Sequence, residues 1–186
     1  MGETEADYGL HVWPCAEVLS SFILSNEDLF RGKRIIEIGC GAAVPSIVAL
    51  KSGAVHVDLS DRATDDRLKN LAMLNCTLNG VAESVDFVPM TWSRFEKTLL
   101  DLPPYDVVLA SDCFYDPSVF EDVLVTMAFL LDRSPRCSIY FSYQERSCDW
   151  TIEWMLEKWH LQCERMTTCL YPASVHIGRI TRKRTR

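Results

Sequence analysis

A chain of 186 residues, 48% apolar and 24% charged, has the composition of one folded globular domain and is too short for two large ones. No apolar run reaches the ~18 residues of a membrane span. The acidic opening Met1-Gly2-Glu3-Thr4-Glu5-Ala6 is unlike a secretory signal, so an intracellular protein, cytoplasmic or nuclear, is expected. The net charge of −7 is uneven, because residues 1–178 carry 14 basic against 26 acidic side chains, a charge of −12, while Arg179–Arg186 hold the other five basic groups.

In chain order, Pro14 opens a helix over about 14–25, with Cys15, Val18, Leu19 and Phe22 at i, i+3, i+4 and i+7. Arg34–Gly39 reads as a short buried strand, followed by Gly39-Cys40-Gly41 and a helix to about Ser52 that Gly53 stops. Val55–Asp61 is a second strand. The next helix carries Leu68, Leu71, Ala72 and Leu78 on one side and ends at Gly80. Val85–Met90 and Asp106–Ser111 are the third and fourth strands. The unbroken Val-Val-Leu-Ala of the fourth is typical of parallel strands buried on both faces.

Asp116-Pro117 caps and starts a further helix bearing Phe120, Val123, Leu124 and Met127. Ser138–Ser142 is a fifth strand, and Asp149 is expected to cap a helix with Ile152, Met155, Leu156 and Trp159 on its apolar face. Leu161–Thr167 and Val175–Thr181 are joined by a loop too short for a helical crossover, so they form an antiparallel hairpin. The fold class is therefore α/β, a Rossmann-like open sheet of seven strands: five parallel-type β/α units followed by the hairpin. A single domain over 1–186 would comprise an N-terminal helix at about 14–25, a core over about 33–160 and the hairpin over about 161–183.

The chemistry begins at Glu37-Ile38-Gly39-Cys40-Gly41-Ala42, a buried strand running into a Gly-x-Gly turn and a helix start. Glycines there allow close backbone approach, and the helix start is expected to offer free amides to a ligand. A dinucleotide fingerprint needs a third glycine where Val44 stands, before Pro45, and no Gly-Lys-Ser/Thr is present for a phosphate loop. Glu37 places a carboxylate at the turn, suited to a cationic cofactor. Asp61, 20 residues past Gly41, stands where a carboxylate takes ribose hydroxyls or caps the next helix. Eight cysteines without a Cys-x-x-Cys pair read as reduced, mostly buried thiols. Four scattered histidines give no metal-ligand set.

These features resemble the seven-β-strand S-adenosylmethionine methyltransferases, and among them the protein methyltransferases of family 16. The resemblance is carried by Tyr8-Gly9-Leu10-His11-Val12-Trp13-Pro14-Cys15, the glycine turn, Leu59-Ser60-Asp61, Met90-Thr91-Trp92, Ala110-Ser111-Asp112-Cys113-Phe114-Tyr115 and Tyr143-Gln144-Glu145-Arg146. It implies S-adenosyl-L-methionine as cofactor, with Glu37, Gly39, Cys40 and Gly41 at its methionine half and Asp61 at the ribose. Trp92 would lie on or beside the adenine and Trp13 over the cofactor, with Ala110 and Asp112 toward the sulfonium. Asp112 is the catalytic candidate, with Tyr115 bounding the acceptor channel, while Glu145 and Arg146 read more readily as a solvated pair than as substrate contacts.

The resemblance further implies methyl transfer to a protein side-chain nitrogen, arginine in a histone-like tail. The acidic body suits such a basic partner and disfavours nucleic acid. The paired-glutamate loop of the large arginine methyltransferases is not recognisable, so lysine stays open as acceptor. Two alternatives stand beside the enzyme: a cofactor-binding scaffold without turnover, and a nicotinamide-dependent oxidoreductase. The missing third glycine, and the lack of any tyrosine followed four residues later by lysine, disfavour the oxidoreductase.

Overall fold

Two apolar periods in one chain call for a sheet covered by helices on both faces, because each helix buries only one stripe. The computed structural model, which describes residues 9–62, 66–166 and 174–183, has that arrangement. Its strands are β1 (Arg34–Ile38), β2 (His56–Asp61), β3 (Val85–Pro89), β4 (Val107–Ser111), β5 (Ser138–Gln144), β6 (Leu161–Met166) and β7 (Val175–Arg182). They form one seven-stranded sheet in the order β3-β2-β1-β4-β5-β7-β6. Strands β1 to β5 are parallel, and β7 runs antiparallel between β5 and β6.

The helices are α1 (Pro14–Ser25), α2 (Val44–Lys51), α3 (Asp66–Leu78), α4 (Lys97–Leu100), α5 (Phe120–Arg133) and α6 (Glu153–Lys158). Alternation along the strands sorts side chains between two cores. Ile35, Leu59, Val107, Leu109 and Tyr140 join Leu19 and Phe22 of α1 and Ala72 and Cys76 of α3. Ile36, Ile38, Val108, Ala110 and Phe141 join Leu124 and Met127 of α5 and Leu156 of α6.

Two expectations are corrected, and one short helix was not foreseen. Leu78 is 75% exposed, because the buried stripe of α3 runs through Leu68, Ala72 and Cys76, and Leu78 lies two residues off it. Asp149 does not cap α6; its amide turns to Ser147 Oγ at 3.3 Å, and the helix starts only after Ile152, so Trp159 ends it rather than extending its stripe. Helix α4, a single turn between β3 and β4, is too short to display a period in the sequence. Asp116 does cap, accepting the Ser118 amide at 2.9 Å ahead of a 3₁₀ turn that leads into α5.

Tyr8, Thr167, Cys169 and the last three residues lie outside the described residues. The seven described cysteines are free thiols, five of them buried. No described helix is long and apolar enough to cross a membrane.

Candidate active site

Parallel strands send all their carboxyl ends to one edge, and the strand order reverses between β1 and β4, where a crevice must open. A cavity of about 480 Å³ lies there, lined by residues that follow β1, β2, β3, β4 and β5 and by the segment leading into α1. It brings together Trp13, Glu37, Gly39, Cys40, Gly41, Asp61, Trp92, Asp112 and Tyr115. Ala110 is not among them. It is fully buried on the α5 face of β4, and strand alternation gives the cavity Ser111 instead.

The turn after β1 is left-handed at Gly39 (φ +65°) and Gly41 (φ +46°), a conformation that favours glycine. Both glycines also relieve close approaches within the chain. A Cβ on Gly39 would lie 3.1 Å from the Trp92 ring and 3.2 Å from Cys113 Sγ; one on Gly41 would lie 3.0 Å from the Gly9 carbonyl. Trp92 and the segment before α1 therefore close against the turn.

The expectation of free amides is narrowed, because three amides of the turn are already bonded. Cys40 N–H donates to Ser60 O at 3.0 Å, Gly41 N–H to Asp61 Oδ2 at 2.9 Å and Ala43 N–H to Cys40 O at 2.7 Å. Pro45, in the first turn of α2, has no N–H to give. The turn therefore offers a ligand fewer amides than its glycines suggest, and the carboxylates supply the charged part of the recognition.

Glu37 is fully buried. Ser46 donates both its amide, at 3.1 Å, and its hydroxyl to Oε2. Among the described residues Oε1 has no partner, although Glu37 lines the cavity. Burial raises the carboxyl to about 8 despite the two Ser46 bonds. An orphaned buried acceptor of this kind fits a cationic ligand group such as an ammonium. Asp61 takes the Gly41 amide on Oδ2 and the Arg62 amide on Oδ1 at 2.8 Å, so it braces the turn and leaves α3 to start further on, at Asp66.

At the other end of the crevice, Asp112 takes φ +54° and its amide donates to Ser142 O at 2.8 Å. Ser142 Oγ in turn donates to Cys15 O at 2.8 Å, tying the start of α1 to β5. Asp112 is held by Arg146: Nη1 reaches Oδ1 at 2.9 Å and Nη2 reaches Oδ2 at 2.7 Å. The expected solvated Glu145–Arg146 pair does not form; Glu145 Oε2 faces His176 Nε2 at 3.1 Å. Sequence reasoning missed Arg146 as Asp112's partner, since 34 residues separate them and only the β4–β5 pairing brings them together.

Cys40 and Cys113 also line the cavity, and burial together with nearby carboxylates pushes both thiols well above the ordinary range. They stay protonated and are poor nucleophiles beside any electrophile held there. His56, Asp58 and Asp86 come together at the opposite edge of the sheet, where Asp58 is engaged by Arg34 at 2.8 Å and by Tyr105 at 2.7 Å.

An open seven-stranded sheet with one reversed strand, β7, and a carboxylate-lined crevice at its switch point, is the architecture of the methyltransferase class. The sequence places the chain further: residues 1–155 match the family described as lysine methyltransferase, and the chain belongs to that family. It is 41% identical over 156 residues to the histone-arginine methyltransferase METTL23 of Xenopus laevis, covering 84% of this chain and 66% of that protein. It is 39% identical over 154 residues to the Homo sapiens protein of the same name, covering 83% and 80%. The chain thus spans about two thirds of the first relative's length. Among solved structures, the ribosomal protein L11 methylase of Lactobacillus delbrueckii subsp. bulgaricus superposes with a TM-score of 0.64 at 18% identity, covering 91% of this chain and 77% of that one. At that identity the likeness concerns the fold alone.

Proposed function

We propose that this chain is an S-adenosylmethionine-dependent protein methyltransferase whose acceptor is an arginine nitrogen in a basic, histone-like segment. The observation that carries the reading is one cavity holding Glu37 with its orphaned Oε1, the Asp61 carboxylate, Trp92 and Asp112 together. When bound, the cofactor supplies an electrophilic methyl group on a sulfonium. Glu37 Oε1 accepts from its ammonium, Asp61 from its ribose hydroxyls, and Trp92 edges its adenine. Trp13, 37% exposed at the mouth, covers it. Asp112 orients the acceptor nitrogen in line and accepts the proton that the nitrogen gives up. Tyr115 walls the acceptor side.

Arginine is favoured by the names of the relatives. Lysine, named in the family description, is the second reading. Labelled methyl transfer to histone tail peptides, with each Arg and Lys replaced in turn, decides between them. Asp112→Asn is expected to keep cofactor affinity within a few fold and to slow turnover by about 10²–10³. Full activity in that variant removes Asp112 from catalysis. Label found only on nucleic acid or a small metabolite overturns the protein acceptor.

A further inference from the structure

The carboxylate that would hold the acceptor already holds a guanidinium. Arg146 meets Asp112 fork to fork, with both oxygens taken at 2.9 and 2.7 Å, and the two side chains are 26% and 7% exposed. A forked pair in a shielded place leaves little attraction for a second cation. Asp112 itself is fixed, by its left-handed backbone and by the 2.8 Å bond from its amide to Ser142 O. Arg146 is less constrained. It follows the end of β5 in a stretch, 145–152, without helix or strand, and it also makes a long 3.3 Å bond to Gln144 O. A second cavity of about 310 Å³, walled by Tyr143, Trp150 and Glu153, has Arg146 on its lining too, so the guanidinium has space to leave Asp112.

We propose that Arg146 is an internal gate on the acceptor seat: its guanidinium fills the Asp112 fork in the free protein, and the guanidinium of the incoming acceptor displaces it. The proposal rests on the methyltransferase reading above and deepens it, because a seat shaped by one planar fork selects another over the point charge of an ammonium. An internal occupant lowers apparent acceptor affinity by the fraction of time that the seat stands open. Arg146 is thus a specificity-determining residue, acting by competition for Asp112.

The test uses methylguanidine as probe, with methylammonium as its control, and calorimetric titration of the full chain without cofactor or acceptor. Arg146→Ala is expected to bind methylguanidine about tenfold tighter than the unaltered protein, as for a seat open about one time in ten. Methylammonium should gain much less, and adding Asp112→Asn should abolish the gain. Removing Arg146 leaves a shielded carboxylate unpaired and threatens folding, so thermal melting is checked alongside. Arg146→Lys, which grips one oxygen at a time, should shift methylguanidine affinity in the same direction. Equal affinity in the unaltered protein and the folded variants overturns the gate, and an equal gain for methylammonium overturns fork recognition. Neither result depends on turnover, so failure of the methyltransferase reading appears separately, as absence of label on every acceptor tried.

Discussion

Glu37 shows how a single buried carboxyl couples cofactor binding to pH. Its folded-state value, raised by burial to about 8, stands above the ordinary value of 4.5. The folded chain therefore keeps the proton where the unfolded chain has lost it. Glu37's contribution to stability is full below about pH 4.5 and is lost as pH rises toward about 8. Thermal melting of the cofactor-free protein should show that decline, flattened in Glu37→Gln. An ammonium at Oε1 favours the ionised form, so S-adenosylmethionine binding at pH 7 should release a proton. Calorimetry in buffers of different ionisation enthalpy measures it, and Glu37→Gln should release none. Asp61 acts through hydrogen bonds. Asp61→Ala should weaken cofactor binding by about 1.5–3 kcal/mol, roughly ten- to hundredfold. Intact affinity beside a lowered melting temperature would restrict Asp61 to bracing Gly41 and Arg62.

At the scale of elements, strand β7 depends on a residue without a side chain. A Cβ on Gly178 would fall 2.4 Å from Phe141 Cε1 across the β5–β7 pair, so Phe141 lies flat over the glycine. Gly178→Ala should destabilise by about 1–3 kcal/mol through overpacking, read as a lower urea midpoint with an unchanged slope. Elements with a clear pattern were legible in the sequence: the 3.6-residue stripes of α1 and α5, the short strand β1 ahead of its glycine turn, and the continuous apolar run of β4. Helix α4 and the late start of α6 were not, since a single turn shows no period and a Ser147 turn displaced the expected cap. Within the site, the glycine turn and its carboxylates announced themselves by strand–turn–helix context. The partners of those groups did not. Gly39 accommodates Trp92, Gly41 accommodates Gly9, and Asp112 grips Arg146, all contacts between residues more than 30 apart in sequence.

For the whole molecule, the charge distribution decides how a basic acceptor arrives. Asp112 cannot draw it in, because Arg146 already neutralises that carboxylate locally. The attraction must come from the summed field of the molecule, a net charge of −7 in which the β7 cations Arg179 and Arg182 are paired with Glu164 and Asp132, and from groups such as Asp122 on the cavity lining. Such a field is screened over about 10 Å at 0.1 M salt, whereas the shielded contacts inside the crevice are screened far less. Raising salt from about 0.05 to 0.3 M, several-fold across that Debye range, should therefore lower kcat/KM for a basic peptide. It should leave cofactor affinity, and kcat at saturating peptide, nearly unchanged. Initial rates against peptide concentration at each salt level separate the two parameters, and a peptide whose flanking Lys and Arg are replaced by Gln should lose the salt dependence. Salt-independent kcat/KM for the basic peptide would show that long-range charge plays no part, leaving recognition to contacts within the crevice.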